Sequence, residues 1–105
     1  MLFRSEHWQQ VQQCDPDNAY GENMIGWSAL LRAQPQEARQ AFARADELLP
    51  LSAEIHTRWG LACLQDHANE EAAKQFRQAV HLQPENAQAW QGLSHTAREI
   101  GRAHV

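Results

Sequence analysis

The sequence predicts an all-α fold, an α–α superhelix of about six antiparallel helices. The main observation is an internal repeat, because residues of the same type recur every 34 positions. Three sets share this step: the prolines Pro16, Pro50 and Pro84, the aromatic residues Trp8, Phe42 and Phe76, and the alanines Ala38 and Ala72. A fixed period between about 20 and 50 residues is typical of solenoids, in which each repeat stacks on its neighbours.

Each period is predicted to contain two helices. Asp15–Asn18 has the composition of a turn that ends in capping residues, so a first helix is expected from about Ala19 to Ala33. Gln34-Pro35 interrupts this helix. Because proline is tolerated in the first helical turn, a second helix is expected to begin there and to run to Leu49, before Pro50.

The second period repeats this order. Ser52 is the expected N-cap of a third helix that reaches about Asp66, and Asn69 is the expected N-cap of a fourth helix through Leu82. A last helix should begin near Ala87, and a helix over about Phe3 to Cys14 should precede all of these.

Small and large residues alternate where the helices should meet. Gly26 and Gly60 allow the two helices of a period to approach closely, with alanines opposite them and Phe42 and Phe76 filling the space between repeats. A stripe at helical spacing on the first helices predicts burial; it consists of Ile25, Ala29, Trp59, Cys63, Leu93 and Ala97. We interpret these residues as core and not as a cofactor site.

Composition excludes several classes of partner. The 105 residues suffice for one domain, and the net charge is −4 with no basic run, so nucleic acid is not an expected partner. No apolar stretch approaches the roughly 18 to 20 residues that a membrane span needs, so no membrane association is expected.

Catalytic and metal-binding patterns are missing from the sequence. No two of the six histidines are spaced i, i+4, the pattern of a helical zinc pair, so surface positions are expected for them. Cys14 and Cys63 are interpreted as small buried thiols and not as a disulfide or reactive site. We therefore expect no cofactor, no metal and no enzymatic activity.

The same residues resemble the tetratricopeptide repeat family. Its pattern includes W-x2-L-G-x2-Y, A-x3-F and a closing proline. The matching residues are Trp59, Gly60, Cys63, Ala72, Phe76, Ala79 and Pro84, then Ile25, Gly26, Ala29, Ala38, Phe42, Ala45 and Pro50 in the same phase, with Trp90, Leu93 and Ala97 opening a further unit. Departures are Glu22, Ser94, and Ala33 and His67 in turns where glycine is common.

The resemblance implies two full repeats between two half repeats and a concave binding surface on the first helices. The expected boundaries are 1–18, 19–52, 53–86 and 87–105. Helical geometry places eleven residues on that surface, the predicted peptide-binding groove: Tyr20, Asn23, Trp27, Leu30, Glu54, Thr57, Leu61, Leu64, Gln88, Gln91 and His95. An apolar strip of Trp27, Leu30, Leu61 and Leu64 would accept apolar anchors of a peptide or helix.

Family members that clamp a terminal carboxylate present Lys, Asn and Arg on these helices. Only Asn23 and Arg58 match here, so an internal apolar segment is the preferred ligand.

The sequence leaves three functions open. The first is a non-catalytic scaffold that binds a protein or peptide segment in the groove. The second is an accessory region of a larger enzyme, for example a transferase or hydroxylase. In the third, the units only extend a solenoid and the strip contacts neighbouring turns.

The N-terminal and C-terminal residues of the sequence are predicted to have an unusual origin. Residues 1–5 and 100–105 can be encoded by DNA strings that are nearly reverse complements of each other and resemble a sequencing-library adapter. We expect both to be artefacts that flank a fragment of a longer array. Terminal helices without capping neighbours would leave apolar faces open, so end-to-end self-association is also expected.

Overall fold

The computed structural model describes residues 16–103, which form five α-helices and contain no strand. The helices are α1 (Pro16–Leu31), α2 (Pro35–Leu48), α3 (Ala53–Gln65), α4 (Asn69–Leu82) and α5 (Ala87–Ala103). The all-α prediction is confirmed. The helix predicted over about Phe3 to Cys14 lies outside the described residues.

Three of the five helices begin where the sequence places them. α2 starts at Pro35 and α5 at Ala87, and α3 follows Ser52, whose Oγ accepts a hydrogen bond from the Ile55 amide at 3.4 Å. α1 instead begins at Pro16, earlier than expected, because proline fits the first helical position as well as a turn.

The predicted cap of α4 is wrong. Asn69 is the first residue of this helix, and the capping position belongs to Ala68, which makes no side-chain cap bond. A cap that the sequence did not reveal occurs at α5, where Asn86 Oδ1 accepts from the Ala89 amide at 3.1 Å.

The turns inside the two units have the same geometry. Ala33 and His67 adopt left-handed backbone angles, with φ of 58° and 59°. The next amide in each turn bonds back to the preceding helix, from Gln34 N to Ala29 O and from Ala68 N to Cys63 O, both at 2.8 Å. This is the Schellman ending of a helix, in which glycine usually occupies the left-handed position.

Helix contacts follow chain order. Each helix packs on the next one, and the first helices of successive units also meet, α1 with α3 and α3 with α5. This packing is consistent with a helical repeat.

Phe42 and Phe76 are fully buried at the centres of the units. A Cβ on Gly26 would lie 2.7 Å from the ring of Phe42, and one on Gly60 would lie 2.7 Å from the ring of Phe76. The prediction that these glycines permit close helix approach is therefore confirmed. Gly92 on α5 also contacts Phe76, since its Cβ would lie 2.4 Å from that ring.

The predicted buried stripe is only partly correct. Ala29 and Cys63 are fully buried, but Ile25 is 46% exposed and Ala97 is also exposed. Ile25 lies on the first described helix and Ala97 on the last, where a helix has a described neighbour on fewer sides than in the middle of the stack. Among residues 16–103, no helix combines the length and apolar character that crossing a membrane requires.

Candidate functional site

The candidate site comprises α1, α3 and α5, the helices that contain all eleven predicted groove residues. Their accessibility differs widely. Five are exposed to solvent: Tyr20, Glu54, Gln88, Gln91 and His95. Trp27, Leu61 and Leu64 are half-buried, while Asn23, Leu30 and Thr57 are buried.

The predicted apolar strip belongs largely to the hydrophobic core. Leu30 is only 8% exposed and joins the cluster around Phe42, against which Trp27 and Leu61 also pack. Leu64 packs against the cluster around Phe76. Since α1 and α3 are in contact, their leucines cover each other and offer little apolar surface to a ligand.

Arg58 of α3 contacts residues of both α1 and α3. Its Nη1 donates to Asn23 Oδ1 at 3.1 Å, and its Nη2 lies 2.9 Å from Glu54 Oε1. Its guanidinium carbon lies 4.7 Å from the centroid of the Trp27 ring, a cation–π contact. Arg58 therefore joins three predicted groove residues, although it is not itself one of the eleven.

This arrangement changes the expected role of Asn23. Its carbonyl oxygen is engaged by Arg58, so it is not available to accept from a ligand in this conformation. Arg58 covers the ring of Trp27, and a ligand that stacks on the indole must first displace the guanidinium.

A polar cleft of about 340 Å³ opens beside Arg58, between α3 and the start of α5. Thr57 connects the two sides of this cleft, because its Oγ1 donates to Ala53 O at 2.7 Å and accepts from Asn86 Nδ2 at 3.0 Å. The lining residues are Glu54, Thr57, Arg58, Gln83, Asn86 and Gln88. Amide, hydroxyl and charged groups therefore dominate this cleft, in which Glu54, Thr57 and Gln88 are predicted groove residues.

A smaller cleft of about 130 Å³ lies between α1 and the start of α3. It also contains Glu54, so the two clefts are adjacent along the groove. Its other lining residues are Ala19, Tyr20, Asn23, Leu49, Ser52 and Ile55.

His56 contradicts the expectation of surface histidines. It is 5% exposed, whereas His67, His81 and His95 are exposed as expected, and His7 and His104 lie outside the described residues. Nδ1 of His56 lies 2.7 Å from Gln75 Oε1, and Nε2 lies 3.3 Å from Asp46 Oδ1. Gln75 donates to Glu71 through its own Nε2, so its Oε1 is the acceptor and Nδ1 of His56 the donor. The ring thus ties α3 to both α2 and α4.

Cys63 is buried as predicted, and Cys14 lies outside the described residues. Burial raises the pKa of the Cys63 thiol to about 11, although the neighbouring Arg39 charge acts in the opposite direction. At neutral pH the thiol is therefore protonated and a poor nucleophile.

Arg39 itself donates to Asp66 Oδ2 at 2.7 Å, and this bond raises the pKa of the guanidinium. Residues 16–103 contain no cluster of three or more side chains suited to hold a metal ion.

Comparison with known proteins gives no match. No protein-family model matches the chain, and no curated protein sequence matches it.

Proposed function

We propose that this chain is a tetratricopeptide-like superhelical array that acts as a non-catalytic scaffold and binds a peptide segment of a partner protein along α1, α3 and α5. Support comes from the recurring 34-residue unit and from the contacts of these three helices with one another. Every second helix along the chain thus contacts the next such helix, and together they form one continuous surface. Such a surface suits a ligand that lies across several units.

The observation that carries the proposal is the Arg58 cluster, in which Arg58 contacts Asn23, Glu54 and Trp27. It places an aromatic face, a cation and a carboxylate together beside the polar cleft. Amides at Gln83, Asn86 and Gln88 add donors and acceptors that suit the backbone of an extended peptide. The preferred ligand is thus a peptide with polar backbone contacts and one side chain that displaces Arg58 from the Trp27 ring, instead of the internal apolar segment predicted from sequence.

Peptides selected from a random display library against the full chain test the groove. We expect Trp27→Ala and Arg58→Ala each to reduce the affinity for the selected peptides by about tenfold or more, because aromatic and arginine side chains contribute most of the binding energy in interfaces. Gln40→Ala, on the exposed face of α2, is the matched control and should leave affinity unchanged. Equal affinity for folded Trp27→Ala and the unmodified chain would contradict the proposal.

We also propose that copies of the chain associate end to end. Ile25 on α1 is 46% exposed and Trp90 on α5 is 49% exposed, and they lie on the first and last described helices. Large apolar side chains at both ends give each copy a surface that a second copy can cover.

A further inference from the structure

A cleft of about 380 Å³ lies on the outer side of the second unit and shares no lining residue with the groove. It is formed by α4 and by the turn that precedes α3. Its walls are mostly apolar, and its lining residues are Leu51, Lys74, Arg77, Gln78, His81 and Leu82.

Leu51 is the most exposed large apolar side chain at this cleft, at 77%. It adopts a left-handed backbone conformation, with φ of 68°, which leucine rarely holds. The positions one period before and after it are Asp17 and Glu85. An apolar residue at this position is therefore specific to this unit.

The cations of the cleft differ in their pairing from most other cations of residues 16–103. Lys74 and Arg77 make no ion pair within residues 16–103, whereas five arginines of that range do: Arg32, Arg39, Arg44, Arg58 and Arg102. The sequence spacing of Glu70 and Lys74 favours an i, i+4 pair, but Lys74 does not form one. Both cations are exposed and remain available to external carboxylates.

The basic character is confined to the second unit. Lys74, Arg77 and His81 follow one face of α4 at intervals of three and four residues. One period earlier the same positions hold Gln40, Ala43 and Glu47. The outer face of the first unit thus lacks the charges that distinguish the second.

We propose that this outer cleft binds an acidic segment of a partner protein that carries an apolar side chain between carboxylates. The apolar side chain packs between Leu51 and Leu82, and the carboxylates pair with Lys74 and Arg77 on the same helix face. Charge complementarity selects this partner, since the chain as a whole is acidic, at −4, and the cleft is locally basic. The partial apolar lining favours a peptide over a polyphosphate, which offers no side chain to fill it.

The test uses the full chain and a defined probe, a blocked peptide in which every third residue is leucine and the others are glutamate. Amide chemical shifts are followed by NMR during titration. We expect shifts centred on Leu51, Arg77 and Leu82, and little change with a peptide in which glutamine replaces every glutamate. Arg77→Glu should weaken binding by about tenfold, because it replaces an attraction with a repulsion.

Two further variants complete the test. Leu51→Asn removes the apolar contact but suits a left-handed position, so the chain still folds and binding should fall severalfold. Arg98→Glu, which reverses the other unpaired cation of residues 16–103, should leave binding unchanged. Equal binding of the glutamine peptide, or unchanged binding by Arg77→Glu, would overturn the proposal. So would Arg77-dependent binding to phosphatidylserine vesicles without binding to the acidic peptide, which would identify a membrane surface instead.

Discussion

Ala33 and His67 stand in the left-handed positions that end α1 and α3. A residue with a Cβ in this conformation crowds the following carbonyl oxygen, at a cost of about 1–2 kcal/mol. Both turns nevertheless keep the closing hydrogen bonds of a Schellman ending. The surrounding helices thus impose the turn on residues that do not favour it.

Replacing Ala33 with glycine should stabilise the protein. We expect Ala33→Gly to raise the free energy of unfolding by about 0.5–1 kcal/mol, because relief of the left-handed strain exceeds the extra entropy of unfolded glycine. Ala43→Gly, inside α2, is the control and should lower it by about 0.5–1 kcal/mol. Urea denaturation measures both, and a loss of stability in Ala33→Gly would show that the turn is not strained.

Individual contacts of the candidate site are hard to predict from sequence. The sequence predicts that Asn23, Glu54 and Trp27 share one surface, and in the structure all three contact Arg58. It does not reveal that Arg58 joins them, because Asn23 and Arg58 are 35 residues apart and their pairing depends on how α1 meets α3. For the same reason His56, polar by type, could not be recognised as buried between Asp46 and Gln75.

At the scale of helices, glycine–phenylalanine contacts set how closely neighbours approach. The 34-residue step predicts close helix approach at Gly26 and Gly60 with alanines opposite them, but the atoms nearest the two glycines belong to the rings of Phe42 and Phe76. The contact of Gly92 with Phe76 is not part of that step. It joins α5 to the preceding unit, so Phe76 is in contact with glycines from two helices.

Gly92 should therefore tolerate no side chain. A Cβ there would lie 2.4 Å from Cζ of the fully buried Phe76 ring, too close for both atoms to keep their positions. We expect Gly92→Ala to destabilise the protein by about 1–3 kcal/mol through overpacking, despite the better helix propensity of alanine.

Gly21 offers the matched control for this substitution. It lies inside α1 with nothing within 4 Å of an added Cβ. Gly21→Ala should accordingly stabilise the protein by about 0.5–1 kcal/mol. Thermal unfolding followed by circular dichroism separates the two variants, and a Gly92→Ala variant as stable as Gly21→Ala would show that α5 does not pack on Phe76 as described.

Helix boundaries show which local signals the sequence carries well. Pro35 and Ser52 mark the starts of α2 and α3 because their effects are local, through a fixed φ and a side-chain acceptor. Asn69 was misassigned because one capping-type residue in a short turn can lie just outside or just inside a helix. At α4 the geometry of the preceding turn places Ala68 at the N-cap and Asn69 at the first helical position.

At the scale of the whole described part, residues 16–103, the first and last helices differ from those between them. α3 contacts α1, α2, α4 and α5, whereas α1 contacts α2 and α3, and α5 contacts α3 and α4. The stripe that buries Cys63 in α3 leaves Ile25 and Ala97 exposed in the outer helices. Repetition of one pattern in unequal surroundings thus produces core in the middle of the described helices and exposed apolar residues on the first and last of them.

This asymmetry predicts self-association that depends on concentration. We expect light scattering to show growth beyond the monomer as the chain is concentrated from about 10 μM to about 1 mM, since weak interfaces have dissociation constants in this range. Trp90→Lys should suppress that growth by placing a charge in the apolar contact. Gln40→Lys is the control, because Gln40 is exposed on α2, which is neither the first nor the last described helix. A chain that stays monomeric throughout, or a Trp90→Lys variant that associates equally well, would contradict the prediction.

The size of the oligomers also identifies the type of interface. A head-to-tail contact joins two different surfaces and produces open-ended oligomers unless successive rotations close a ring, whereas a contact between two identical surfaces stops at the dimer.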